Sequence, residues 1–143
     1  MEDTNRRLSE YEKKKPRGLR NNNPGNIRHS PVRWKGEVIG NDPDFKSFES
    51  LAYGYRAVIR LLKTYYYKYK LTTIRGIINR YAPPVENDTD SYIRVVTDQT
   101  GYLADEELPF DKEHICNVVA AISRVENGLV ADIIKIEDGW ELL

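Results

Sequence analysis

Between Ser50 and Gly128 the apolar residues return at steps of three and four in four successive stretches, each opened by a capping residue and the last three closed by a helix breaker. That period belongs to the α-helix, and one-sided helices can hide their stripes only against one another. Leu51, Gly54, Tyr55, Val58, Leu61, Leu62 and Tyr65 form the first stripe, with Ser50 or Ser47 as its cap. The second starts at Thr72 or Thr73, turns Ile74, Ile77 and Ile78 inward and stops before Pro83-Pro84. Asp88 or Asp90 opens a third with Tyr92, Ile93 and Val96, ended near Gly101. The fourth runs from Asp111 through Ile115, Val118, Val119, Ile122 and Val125 to Asn127-Gly128, a left-handed C-cap signature. Leu51, Tyr55, Val58, Leu62, Ile74, Ile78, Tyr92, Ile93, Val96, Val119 and Ile122 are the expected core. The apolar tail Ala131 to Ile136 is too short to assign by period and reads as a short helix or an edge strand.

Ahead of the helices the texture changes. Arg17 to Phe48 reads as loop and short strand, with turn chemistry in Arg20-Asn21-Asn22-Asn23-Pro24-Gly25-Asn26 and candidate strands at Trp34, Val38-Ile39 and Phe45 to Phe48. Residues 1–16 read as a flexible polar arm, because Leu8 and Tyr11 are the only large apolar residues between Met1 and Pro16. A length of 143 residues suits one core, so 17–143 is expected to be a single domain. The fold class is mainly α, or α+β: a helical bundle with a small irregular β-lobe near the N-terminus.

Composition removes several classes of function. One cysteine, Cys116, cannot form an internal disulfide, and no spaced cysteine pair invites zinc. His114 lies two residues away, on another helical face, which argues against a thiol–imidazole dyad. No metal or cofactor is expected. The N-terminus lacks a secretory apolar core, and no run approaches the roughly 18 apolar residues of a membrane span. Synthesis in the bacterial cytoplasm follows as an expectation. Net charge is zero, yet the first 35 residues are rich in Arg and Lys and the region beyond Leu103 is acidic. A basic end can dock on an anionic surface, but zero net charge disfavours nucleic acid as the partner. Ten tyrosines include Tyr65-Tyr66-Tyr67 and Tyr69, which must point all round their helix, so some are free to line a ligand surface.

Glycosidic cleavage needs a carboxylic acid held protonated beside the leaving oxygen, with aromatic and amide groups to hold the sugars. Here several short motifs occur in order: Asn21 to Arg28, Trp34-Lys35-Gly36, Phe45 to Ser50 with Tyr53 to Ala57, Thr73-Ile74, Tyr81-Ala82-Pro83-Pro84, Glu86 to Thr89 and Tyr92-Ile93. Together they resemble a phage and prophage lysozyme-like family, in the lytic transglycosylase and muramidase superfamily. Its members are virion-associated cell-wall hydrolases or structural proteins. The order is also distantly similar to flagellar and autolysin-type glucosaminidases, in which a catalytic Glu ends a helix ahead of the Asn-Asn step. This chain has only the polar arm there. Its fourth helix, apolar and ending in Glu126-Asn127-Gly128, has the texture of the missing element, which a circular permutation would supply from the C-terminal side. The resemblance therefore implies Glu126 as catalytic acid, beneath the loop that begins at Asn21, with Glu49 as the runner-up. Asn22, Asn23, Trp34, Tyr81 and Tyr92 are the implied substrate-binding residues. Glu86-Asn87-Asp88 reads equally well as capping.

The implied activity is that of a peptidoglycan-cleaving glycosidase, a muramidase, glucosaminidase or lytic transglycosylase, acting on cell-wall glycan strands. One competent Glu suffices for a transglycosylase, whereas a hydrolase usually needs a second carboxylate. The alternative is a non-catalytic virion or cell-wall-binding protein whose partners include phage structural subunits.

Overall fold

A computed structural model describes residues 15–143. The expected polar arm, 1–16, lies outside these residues except for Lys15 and Pro16. The described chain is mainly helical with a small two-stranded sheet. Its elements are α1 (Arg17–Arg20), β1 (Glu37–Val38), β2 (Ser47–Phe48), α2 (Leu51–Lys68), α3 (Ile74–Tyr81), α4 (Thr89–Thr100), α5 (Lys112–Asn127) and α6 (Ile133–Glu141).

Each of the five long helices begins at a side chain that satisfies an orphan amide of its first turn. Ser50 accepts from the Tyr53 amide, Thr73 from Gly76, Asp88 from Ser91, Asp111 from His114, and Asp132 from Ile134 and Lys135. Such a cap contributes about 1 kcal/mol. Gly101 and Gly128 end α4 and α5 in left-handed backbone, with φ of 77° and 69°. The tail resolves into α6, which lays Ile136 and Gly139 against α2. An added Cβ at Gly139 would lie 2.9 Å from the Ala52 carbonyl oxygen, so the two helices approach backbone to backbone.

One core runs through the bundle, built on Ile59, Leu62, Ile74, Ile78, Val96, Val118, Ile122 and Ile136. The expected core residues are buried in it except Leu51, which is half-buried at the first position of α2. Helix α2 packs on α6, α5 and α3, and α4 closes the far side against α5 and α3.

The N-terminal lobe is more irregular than its motifs suggest. Its antiparallel pair joins Glu37 to Phe48 and Val38 to Ser47, while Ile39 is exposed beyond the ladder and Trp34 lies outside any strand. Phe45 meets Arg28 through an isolated bridge. Helix α1 falls in a segment read as loop, since four residues hold no complete apolar period. The lobe has few apolar residues inside and is held by charge instead. Lys46, only 2 % exposed, pairs with Glu37 at 2.9 Å and donates to the carbonyls of Ser30 and Val32. On its outer face Arg17 grips Asp42 with two hydrogen bonds and reaches Asp44. The Arg17 guanidinium holds the Asp42 carboxyl far below the usual carboxylate range, with help from the Asp44 amide and Asn21.

Candidate functional site

The loop between α1 and the lobe is fixed by its own amides. Asn23 is fully buried: its Nδ2 donates to the carbonyls of Ile27 and Lys46, both at 2.9 Å, and its Oδ1 accepts from the Ile27 amide at 2.9 Å. Asn22 and Asn26 take positive φ, 51° and 50°, which asparagine tolerates better than most residues. The Asn22 side chain donates to the Phe48 carbonyl. Gly25 lies so close to the Tyr81 hydroxyl and Val58 that no side chain could fit there, and that hydroxyl donates to the Gly25 carbonyl. The loop is thereby pinned to α2 and α3.

The C-terminal end of α5 arrives on the same loop. Asn127 donates to the Pro24 carbonyl and to Ser123, both at 2.8 Å, and Ser123 in turn meets the Tyr55 hydroxyl at 2.7 Å. One residue earlier, half-buried Glu126 has a donor on each oxygen. Asn26 Nδ2 reaches Oε1 at 3.0 Å, and the Tyr92 hydroxyl reaches Oε2 at 2.9 Å. A carboxylate in the last turn opposes the helix dipole, and these two neutral donors offset that cost. They are not equivalent. An amide nitrogen only donates, whereas a hydroxyl both donates and accepts. The Tyr92 bond can therefore reverse when Glu126 takes a proton on Oε2, while Asn26 keeps hold of Oε1.

Glu126 lines a cleft of about 260 Å³. Tyr65, Tyr81 and Phe45 supply its aromatic surface, and Asn26, Asn87, Arg28 and a second carboxylate, Glu86, its polar surface. Burial and the Glu126 charge push the Tyr81 hydroxyl well above the ordinary tyrosine range. Tyr92 is raised for similar reasons: burial first, then Tyr81 and Glu126. Both tyrosines therefore remain neutral hydroxyls at physiological pH.

The expected site residues divide by position. Glu126, Tyr81 and Tyr92 come together at the cleft, Tyr92 from within the core. Asn23 lies beneath the loop as its framework, and Asn22 faces a separate depression lined by Leu19, Leu51 and Leu129. Trp34 is half-buried in the lobe, its indole Nε1 buried without a hydrogen-bond partner, and it does not line the cleft. Glu49 is exposed at the junction of β2 and α2, also away from the cleft lining. Asn26, Arg28, Phe45 and Glu86 are cleft residues that sequence reasoning treated as turn, motif or cap. Only the asparagine-rich run gave a local hint, by marking a turn that needed side-chain partners. Among the described residues, no group of His, Cys, Asp and Glu is placed to hold a metal ion.

These features define a mainly helical protein with a half-buried, donor-held carboxylate in an aromatic cleft. No protein-family model matches the chain. It is 43 % identical over 116 residues to Protein P5 of Pseudoalteromonas phage PM2, an alignment covering 78 % of this chain and 71 % of the phage protein. The chain belongs to the family of that phage protein. Among the described residues, no helix is long and apolar enough to cross a membrane.

Proposed function

We propose that this protein is a phage- or prophage-encoded peptidoglycan glycosidase acting at the bacterial cell wall, with Glu126 as its general acid. The observation that carries this reading is the Glu126 carboxyl group, held by Asn26 and Tyr92 in a cleft walled by Tyr65, Tyr81 and Phe45. Oε2 carries the proton to the leaving oxygen while Asn26 fixes the carboxyl plane, and neutral Tyr92 can follow the change of charge by turning its hydroxyl. Glu86 on the same cleft is the available second carboxylate for a hydrolase. Without its participation the substrate's own hydroxyl would close an anhydro ring, as in a lytic transglycosylase. Junction with the asparagine loop through the end of α5 also suits the lysozyme-like, permuted arrangement.

Incubation with purified peptidoglycan and mass spectrometry of the soluble fragments tests the proposal. Wild-type protein should release fragments, anhydro or reducing. Glu126→Gln keeps the shape and an acceptor for Asn26 but cannot act as an acid, so release should fall by about 100-fold or more. An unchanged rate in that variant would remove Glu126 from the chemistry.

One feature favours a second reading, a non-catalytic virion or cell-wall-binding component. Leu129, Val130, Ile133 and Ile134 are all exposed where α5 passes to α6, an apolar patch suited to a neighbouring phage subunit. Protein that sediments with peptidoglycan yet releases nothing would select that reading.

A further inference from the structure

Two guanidinium groups flank the Phe45 ring, and they differ in how their charge is met. Arg17 lies 4.6 Å from the ring centroid and is neutralised by Asp42 and Asp44. Arg28 lies 5.4 Å from the same centroid, exposed on the cleft, and no carboxylate of the described residues pairs with it. The backbone bridge between Arg28 and Phe45 sets cation and ring side by side, so the guanidinium is held at the cleft rather than trailing in solvent. Glu86 and Glu126 share that cleft, yet neither forms an ion pair with Arg28. The cleft therefore offers a fork of donors that no carboxylate of the described residues fills. A neutral sugar chain can place only uncharged hydroxyl and acetamido oxygens there, which are weaker acceptors than a carboxylate.

We infer that Arg28 is a specificity residue that binds a carboxylate carried by the glycan, so that the cleft selects acid-bearing strands over neutral amino-sugar polymers. The inference rests on the glycan reading of the cleft. A planar guanidinium binds a carboxylate through two parallel hydrogen bonds, and ring contact orients the fork without consuming its donors. Peptidoglycan offers two sources of that group: the lactyl ether acid where the strand lacks peptide, and the carboxylates of the peptide stem where the lactyl acid is amidated.

Calorimetric titration of the full-length protein tests this with three oligosaccharides of equal length. One is a neutral N-acetylglucosamine oligomer, one carries free lactyl acids, and one carries amide-linked peptide stems. Wild-type protein should bind an acid-bearing oligomer more tightly than the neutral one. Arg28→Gln should lose about tenfold on that oligomer while changing less than about twofold on the neutral one. Arg28→Lys should recover only part of the loss, because a point charge replaces the fork. The oligomer on which the loss falls identifies the source of the carboxylate. Equal weakening on all three, or unchanged discrimination, would overturn the role of Arg28 and leave the glycan reading standing. Failure of wild-type protein to bind any of the three would overturn both.

Discussion

Replacing Asn23 with Ala should destabilise the protein by roughly 2–6 kcal/mol, and the figure follows from which groups lose their partners. Its side chain serves three backbone atoms: the Ile27 amide, the Ile27 carbonyl and the Lys46 carbonyl. The Ile27 carbonyl also accepts from the Lys46 amide at 3.0 Å and stays satisfied in the variant. The Ile27 amide and the Lys46 carbonyl do not. Each buried group left without a partner costs about 1–3 kcal/mol, and the site is fully buried, so water cannot readily substitute. With a urea slope of about 2 kcal/mol per molar, the unfolding midpoint should fall by about 1–3 M at unchanged slope. Asn23→Asp should be little better, because a carboxylate can accept from Ile27 but cannot donate to the Lys46 carbonyl. A midpoint shift below about 0.3 M for Asn23→Ala would refute the reasoning, since it would mean that the loop satisfies those atoms in another way.

Two further expectations address the carboxylate's partner and the buried thiol. Tyr92→Phe removes the donor to Glu126 Oε2; it should slow peptidoglycan cleavage by about tenfold and cost about 1 kcal/mol of stability, and unchanged fragment release would show that the hydroxyl takes no part. Burial pushes the Cys116 thiol up to about 11, so the folded protein holds this proton more tightly than the unfolded chain, whose thiol titrates near 8.5. The resulting stabilisation is complete below about pH 8.5 and is lost as pH rises towards 11. The decline in melting temperature between pH 8 and 10.5 should therefore be shallower in Cys116→Ala than in wild type, and identical slopes would contradict the burial argument.

How far the sequence speaks depends on the range of the interaction. The helix starts at Ser50, Thr73, Asp88 and Asp111 are legible because a cap and its amide lie within one turn, and the stripes behind them are read by counting. Helix α6 was only half legible, since Ile136 alone of its large apolar residues is fully buried and Ile133 and Ile134 remain exposed. Glu126 could be singled out from the texture of its helix and its place at the end. Its partners could not, because Asn26 and Tyr92 reach it across the fold rather than along a helix. Trp34 and Glu49 failed to join the cleft for a related reason. Aromatic and acidic residues near a strand end look suited to a site, but here the Lys46–Glu37 pair and the short β1–β2 ladder fix the lobe's orientation. Arg28 and Phe45, brought together by a single bridge, carry no periodic mark at all.

The tie between Asn26 and Glu126 spans 100 residues, and that between Pro24 and Asn127 spans 103. Closing a loop of that length costs about 4 kcal/mol in chain entropy, whereas the packing of α4 on α5 and of α3 on α4 joins neighbours in sequence. Low-separation contacts reward the chain early and distant ones late. A ribosome-bound or partly denatured molecule would then hold the α3–α4–α5 stack before it held a finished cleft. The asparagine loop and the end of α5 act as a clasp, and the cleft is complete only when the clasp shuts.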